Sequence, residues 1–230
     1  MDPMTLLLIS GFMADDTLFD ALDGALAPFG PLVKTALDEG ATIEEMAGAI
    51  LNKAPARFTC VGFSMGGYVA REIVRMAPER VEALILIATS ARGDTEAMIR
   101  QRQSALKSPP ERFKGLSRLA IQSSIHPDSR DDAALHARIR DMGIRLGGEV
   151  FHRQSMITRD GDLDRLSDIT VPTLIIEASH DALRSPAEAA ELHSAIAGST
   201  LVRVEDTGHM IPLEQPQALA RLMTGWLERT

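Results

Sequence analysis

A serine hydroxyl attacks a carbonyl only when a base takes its proton and a third group holds that base in place. Three residues of this 230-residue chain have the types, order and settings for those roles. Ser64 lies in "CVGFSMGGY" (60–68), where Gly62-Phe63-Ser64-Met65-Gly66 fits Gly-x-Ser-x-Gly between an apolar run and a helical pattern. A strand-to-helix turn this tight needs nearly side-chain-free positions two before and two after the serine. It lifts the hydroxyl out of the sheet and turns the Met65 N–H toward the place where an oxyanion would form, at a helix N-terminus. Asp181, in "EASHDAL", and His209, in "EDTGHMIPLEQP", each follow an apolar run, and the order Ser, Asp, His is the one this turn goes with. His209 would take the Ser64 proton and return it to the leaving group, and Asp181 would fix the imidazole tautomer.

Each residue has a plainer reading. Ser64 could sit by chance in a Gly-rich turn, Asp181 could cap the next helix, and His209 could be a surface-loop histidine. Asp94, after the run at 81–90, is an alternative acid. His126, His136, His152 and His193 lack a strand end to aim them, His180 is an exposed neighbour of Asp181, and Asp206 shapes the turn before His209. Cys60, inside a strand, points into the core.

The elements that must position these residues alternate. Continuous apolar runs predict strands at 5–10, 31–37, 57–63, 81–90, 172–179 and 200–207. Helical spacing predicts helices at 15–27, 42–53, 65–76, from Pro186 to Gly198, and at 215–229. Thr42 with Glu45 three residues later reads as a capping box. In the helix after Ser64, Met65, Val69, Ile73 and Met76 make an apolar face, with Arg71, Glu72 and Arg75 outward. Strands alternating with helices make an α/β fold, a mostly parallel sheet covered on both sides. Residues 92–166 break the rhythm: "DTEAMIRQRQSALK", "ERFKGLSRLAIQSSI", "DDAALHARIRDMGIRL" and "GEVFHRQSMIT" all read as helical. They form an α-helical insertion leaving the carboxyl end of a strand, where α/β sheets bind ligands, so it would lie over the site as a lid.

Composition narrows the partners. Lys and Arg number 24 against 32 Asp and Glu, a formal net charge of −8, which disfavours nucleic acid and anionic membranes. The longest apolar stretches are too short to span a bilayer, and "MDPMTLLLISG" lacks a basic secretory leader. One cysteine excludes an intrachain disulfide and fits the cytoplasm. No His or Cys spacing signals a metal, and no cofactor is expected. The partner expected is a small ester-like molecule, and the chain is expected to be a monomer or homodimer.

"LLLISGF", "CVGFSMGGYVA", "ALILIATS", "PTLIIEASHDAL" and "DTGHMIPLEQPQAL" together resemble the α/β-hydrolase superfamily over nearly the whole chain. "IATSARGDTEA" and "SIHPDSRDDAAL" more loosely resemble a bacterial subgroup of small hydrolases with a helical cap. The resemblance implies an α/β-hydrolase core at 1–91 and 167–230 and a cap at 92–166. It implies Ser64 as nucleophile, Asp181 as acid, His209 as base, and an oxyanion hole from the backbone N–H groups of Phe12 and Met65. Ser10 stands where many relatives have His, and the chain starts at the strand that is third in the full family fold. A serine at position 64 sets aside the branches that attack through a carboxylate. The implied activity is hydrolysis of a small carboxylic ester through an acyl-enzyme. Lactonase, thioesterase, amidase, carbon–carbon bond hydrolase and cofactor-free haloperoxidase chemistry use the same constellation, and a non-catalytic ligand-binding protein could share the fold. Phe113, Met142, Phe151 and Met156 would wall the acyl group or pack the cap. Arg92, Arg138 or Arg153 could meet a carboxylate, or serve as surface charges.

Overall fold

The computed structural model describes residues 4–106 and 108–230. Residues 1–3, in the predicted core segment, and 107, in the predicted insertion, lie outside the described residues. Six of the apolar runs form strands: β1 (Leu6–Ile9), β2 (Leu32–Thr35), β3 (Phe58–Phe63), β4 (Val81–Ile87), β5 (Thr173–Ala178) and β6 (Thr200–Val204). They make one sheet in the order β2-β1-β3-β4-β5-β6, with every neighbouring pair parallel. Parallel pairing places the carboxyl ends of all six strands on one edge.

Alternation along the strands feeds two cores. Leu6, Leu8, Val61, Phe63, Ile85 and Ile87 share one face with Leu18, Phe19, Leu22 and Leu26. These come from the 3₁₀ turns Asp16–Leu22 and the short helix α1 (Asp23–Leu26). The closing helices α8 (Ile211–Glu214) and α9 (Pro216–Leu227) supply Ile211, Leu219, Met223 and Trp226 to the same face. Leu7, Ile9, Cys60, Leu84 and Leu86 face the other way. There they meet α2 (Ile43–Leu51), α3 (Met65–Met76) and α7 (Pro186–Ala195) through Met46, Val69, Ile73 and Leu192. The four inner strands β1, β3, β4 and β5 are buried on both faces because both faces are covered, while the edge strands β2 and β6 carry Lys34 and Arg203.

Local sequence explains where elements start and stop. The Thr42 hydroxyl accepts the Glu45 N–H at 3.1 Å and opens α2; Glu45 reaches back to the Ala41 N–H. Ser185 and Glu188 form a full capping box on α7, with Pro186 at its first turn. The predicted helix at 15–27 is instead 3₁₀ up to Leu22, then α1, then a 3₁₀ turn at Ala27–Phe29. Pro28 has no N–H with which to continue a helix.

Among the described residues, the segment between β4 and β5 holds helices and no strand. These are α4 (Glu96–Ala105), α5 (Arg118–Gln122) and α6 (Ala133–Met156), with 3₁₀ turns between them. The helix expected across 111–125 is cut to α5, because Gly115 sits at φ 86° and Ser117 caps a new start by accepting the Ala120 N–H. The two helices expected after residue 131 meet inside α6 at Gly147, whose φ of 83° and ψ of 171° break the helical path. Among the described residues, no helix is long and apolar enough to cross a membrane.

One face of α3 departs from its helical pattern. Arg71 was expected outward and is fully buried, while Met76, expected inward, is 48% exposed. Arg71 donates to both carboxylate oxygens of Asp162 at 2.8 and 2.7 Å, and to the Gly67 and Ser90 carbonyls. Arg75 also reaches Asp162, at 2.6 Å, and Glu72 at 3.0 Å. The segment leading into β5 brings this carboxylate over the helix, and the pairing lets the charge be buried. Burial works to raise the Asp162 pKa, and the two arginines more than offset it, holding the carboxyl below its usual range.

Candidate active site

Ser64 joins β3 to α3 at φ 53° and ψ −114°, a conformation that non-glycine residues rarely adopt. Its neighbours hold it there. The Ser64 N–H donates to the Ile87 carbonyl at 2.9 Å, and the Thr89 hydroxyl donates to the Ser64 carbonyl at 2.7 Å. A Cβ on Gly62 would stand 2.8 Å from the Ala70 Cβ, and one on Gly66 would stand 2.5 Å from both the Ile9 and Ser10 carbonyl oxygens. The steric demand expected of those two glycines is therefore met by backbone and α3 packing on both sides of the serine.

The exits of β5 and β6 bring Asp181 and His209 to the same place. His209 Nε2 lies 2.8 Å from the Ser64 Oγ, and its Nδ1 lies 2.7 Å from Asp181 Oδ2. Asp181 Oδ1 accepts the backbone N–H groups of Leu183 and Arg184 at 2.8 and 2.9 Å. A carboxylate so placed accepts from Nδ1–H, which leaves Nε2 with its lone pair toward the serine hydroxyl. The Asp181 and His209 side chains are 3% and 5% exposed. The Phe63 ring lies against the imidazole, with centroids 5.2 Å apart. Glu214 steadies the β6 exit by accepting the Gly208 N–H at 3.0 Å and the His126 N–H at 2.6 Å. Burial raises its pKa despite those bonds.

Asp94 is committed elsewhere. Its carboxylate takes Arg102 at 2.6 Å and Arg159 at 2.5 Å, while its own N–H donates to the Arg159 carbonyl at 2.7 Å. This clamps together the two ends of the helical segment. Burial works to raise the Asp94 pKa, and the two guanidinium groups overcome it and bring the pKa down to about 2. His180 is exposed and meets His126 edge-on at 4.4 Å. Asp206 sits at φ 52° in the turn before His209. Cys60 is buried in the core beneath α3, and desolvation pushes its thiol pKa up, away from reactivity.

A cavity of about 280 Å³ opens beside Ser64 and His209. Phe12 and Met65 both line it, at the exits of β1 and β3. The loop carrying Phe12 is pinned at both ends. Ser10, buried where a histidine was the family expectation, donates its hydroxyl to the Asp15 carbonyl at 2.8 Å. Gln154 accepts the Met13 N–H at 2.8 Å and donates to the Leu37 carbonyl at 2.7 Å.

Phe113, Met142, Phe151 and Met156 are not among the residues lining this cavity. Phe113 stacks on Phe151 at 4.6 Å, and Phe151 meets the Phe12 ring edge-on at 6.0 Å. Met142 is fully buried with Ile121 and Ile139, and Met156 is 71% exposed. The apolar lining comes instead from Phe12, Met65, Met98, Ile157 and Leu183. Of the arginines singled out by sequence, Arg92 pairs with Glu191 at 2.7 Å, Arg138 reaches the Thr17 carbonyl, and Arg153 donates to the Asp38 carbonyl. The cations in the cavity wall are Arg102, Arg159 and Arg184. Sequence reasoning passed over these three and Gln154, because they come from separate segments with no shared spacing.

Known proteins share this architecture. A family model described as "Alpha/beta hydrolase family" matches residues 10–222. The pimeloyl-(acyl-carrier protein) methyl ester esterase of Pectobacterium atrosepticum is 30% identical over 189 residues, 76% of this chain and 72% of that protein. A thermophilic esterase from Thermogutta terrifontis superposes with a TM-score of 0.85 at 25% identity, over 98% of this chain and 90% of that one. The enol-lactonase of Burkholderia xenovorans shares the fold with a TM-score of 0.86 at 23% identity, over 99% and 92% of the two chains.

Proposed function

The chain belongs to the α/β-hydrolase family, and from that premise we propose that it hydrolyses small carboxylic esters through a covalent acyl-enzyme on Ser64. The observation that carries the proposal is the unbroken contact from Asp181 through His209 to Ser64, at 2.7 and 2.8 Å. Ser64 Oγ attacks the ester carbonyl carbon while its proton passes to His209 Nε2. The carbonyl oxygen becomes an oxyanion, held by the Phe12 and Met65 backbone N–H groups, a contribution worth about 10²–10³ in rate per donor. The intermediate collapses, the C–O bond to the alcohol breaks, and His209 gives its proton to the departing oxygen. Water then attacks the acyl-serine with His209 again as base, releasing the acid and restoring Ser64. Asp181 keeps Nδ1 protonated and stabilises the imidazolium throughout.

We read residues 92–166 as the cap of this site, between core segments 1–91 and 167–230. Met98, Gln101, Arg102, Gln154, Ile157 and Arg159 come from that segment and line the cavity at Ser64, which supports the reading. Ester cleavage is favoured over lactone, thioester, amide or carbon–carbon bond cleavage by the likeness to a methyl ester esterase at 30% identity.

The test is turnover of p-nitrophenyl esters of rising acyl length, with Ser64→Ala as control and a fluorophosphonate probe to label the nucleophile. Turnover lost in Ser64→Ala, with the label on Ser64, is the expected result. Turnover that survives the substitution refutes the proposal.

A further inference from the structure

The cavity at Ser64 is cationic in an acidic protein. Arg102, Arg159 and Arg184 line it, and no Asp or Glu is among its lining residues, although acidic residues outnumber basic ones by 32 to 24 in the whole chain. Asp94 lies behind the wall and is shared, taking Arg102 at 2.6 Å and Arg159 at 2.5 Å. One carboxylate against two guanidinium groups leaves a positive charge over. Arg184 has a loose partner: its Nη1 reaches Glu188 Oε1 at 3.5 Å. Glu188 is already engaged through its other oxygen by the Ser185 N–H and hydroxyl at 2.6 and 2.9 Å.

These guanidinium groups are also incompletely bonded. The three arginine side chains are 18%, 12% and 11% exposed, in chain order. The Nε donors of Arg102 and Arg184 are buried with no partner among the described residues. A buried charged donor without an acceptor is desolvated without return, and the planar guanidinium fork matches a carboxylate. Neutral polar groups nearby do not supply that acceptor. Gln154 is spent on the Met13 N–H and the Leu37 carbonyl, and Gln101 is exposed.

We infer that the site is built for anionic esters, in which a carboxylate elsewhere on the substrate is held by Arg102 and Arg184 while the ester carbonyl lies at Ser64. The chemistry of cleavage rests on the serine-hydrolase proposal; the binding of the anion does not. The carboxylate can be carried on the acyl arm, as in a half-ester of a dicarboxylic acid, or on the alcohol arm, as in an ester of a hydroxy acid.

Calorimetric titration of Ser64→Ala, in which the ester survives, tests this with two matched pairs. Monomethyl adipate against methyl hexanoate probes the acyl arm, and O-butyryl glycolate against ethyl butyrate probes the alcohol arm. The anionic member of at least one pair should bind about tenfold more tightly than its neutral match, and that pair identifies the arm. Adding Arg184→Gln should erase the preference, weakening the anionic member of the pair more than the neutral one. Arg102→Gln, checked by thermal melting because Arg102 also holds Asp94, is the second variant. Equal binding within both pairs, or a preference that survives both substitutions, overturns the inference. Fluorophosphonate labelling of the wild type separates the two claims. Labelling without anion preference refutes the anionic site alone, and anion preference without labelling refutes the nucleophile alone.

Discussion

Asp181 Oδ2 stands 2.7 Å from His209 Nδ1, while its other oxygen is tied to two backbone N–H groups of the loop that follows. The carboxylate is thereby fixed in place before it touches the imidazole. Asp181→Asn should keep most of that geometry yet present an amide that can turn its NH₂ to Nδ1, favouring the wrong tautomer. The expected loss in kcat is about 10⁴-fold with an unchanged melting temperature. A variant that keeps most of its turnover would assign the orienting role to another group.

The serine turn makes a steric prediction. Gly62→Ala would push a methyl against the Ala70 Cβ at 2.8 Å and against the backbone of Gly66. Overpacking at a site walled by backbone costs roughly 1–3 kcal/mol, and here it also displaces the first turn of α3 from Ser64. Chemical denaturation should show the lost stability, and labelling of Ser64 should slow beyond what that loss explains. Ordinary stability with ordinary labelling would mean that the turn has slack.

The strands and the meeting of Ser64, Asp181 and His209 were legible because they depend on local patterns. Continuous apolar runs mark the strands, and Ser64, Asp181 and His209 each lie within a few residues of the end of one. What was illegible depends on partners far along the chain. Helical spacing places Arg71 outward, and only the arrival of Asp162 over α3 makes its burial affordable. Periodicity marks Phe113, Met142, Phe151 and Met156 as apolar but does not say which apolar surface they meet. Gly115 sits inside helical spacing, yet its positive φ breaks it. Arg102, Arg159 and Arg184 share a cavity and share no motif.

Acid should loosen the clamp between the ends of residues 92–166. The Asp94 pKa is about 2, below its ordinary value of 3.8, with burial outweighed by Arg102 and Arg159. A carboxylate with a depressed folded-state pKa stabilises the fold above the unfolded value, and that stabilisation is lost as pH falls through the folded one. Its contribution is thus complete above about pH 4 and gone below about pH 2. Asp94→Asn, which strands two guanidinium groups, should cost roughly 3–5 kcal/mol at neutral pH and show a shallower loss of stability between those two pH values. Denaturation curves of both proteins across that range check this, and parallel pH profiles would count against it.

Gln154 offers a prediction about rate without direct contact with the reacting atoms. Its side chain ties the Met13 N–H to the Leu37 carbonyl, one residue beyond Phe12, whose own N–H is the proposed oxyanion donor. Gln154→Leu keeps the volume and removes both bonds, so the loop that presents Phe12 loses its anchor on α6. A shift of about 1 Å in a positioned group can cost about 10²-fold in rate. The donor acts on the oxyanion more than on the bound ester, so kcat should fall by up to that factor while KM changes little. Gln154→Glu is the informative companion, since it keeps the acceptor for Met13 and loses the donor to Leu37. It also sets a buried carboxylate oxygen against that carbonyl, so its kcat should fall at least as far as that of the leucine variant. A rise in KM at constant kcat in both variants would mean that Gln154 acts on substrate binding from the cavity wall and not on rate through the loop of Phe12.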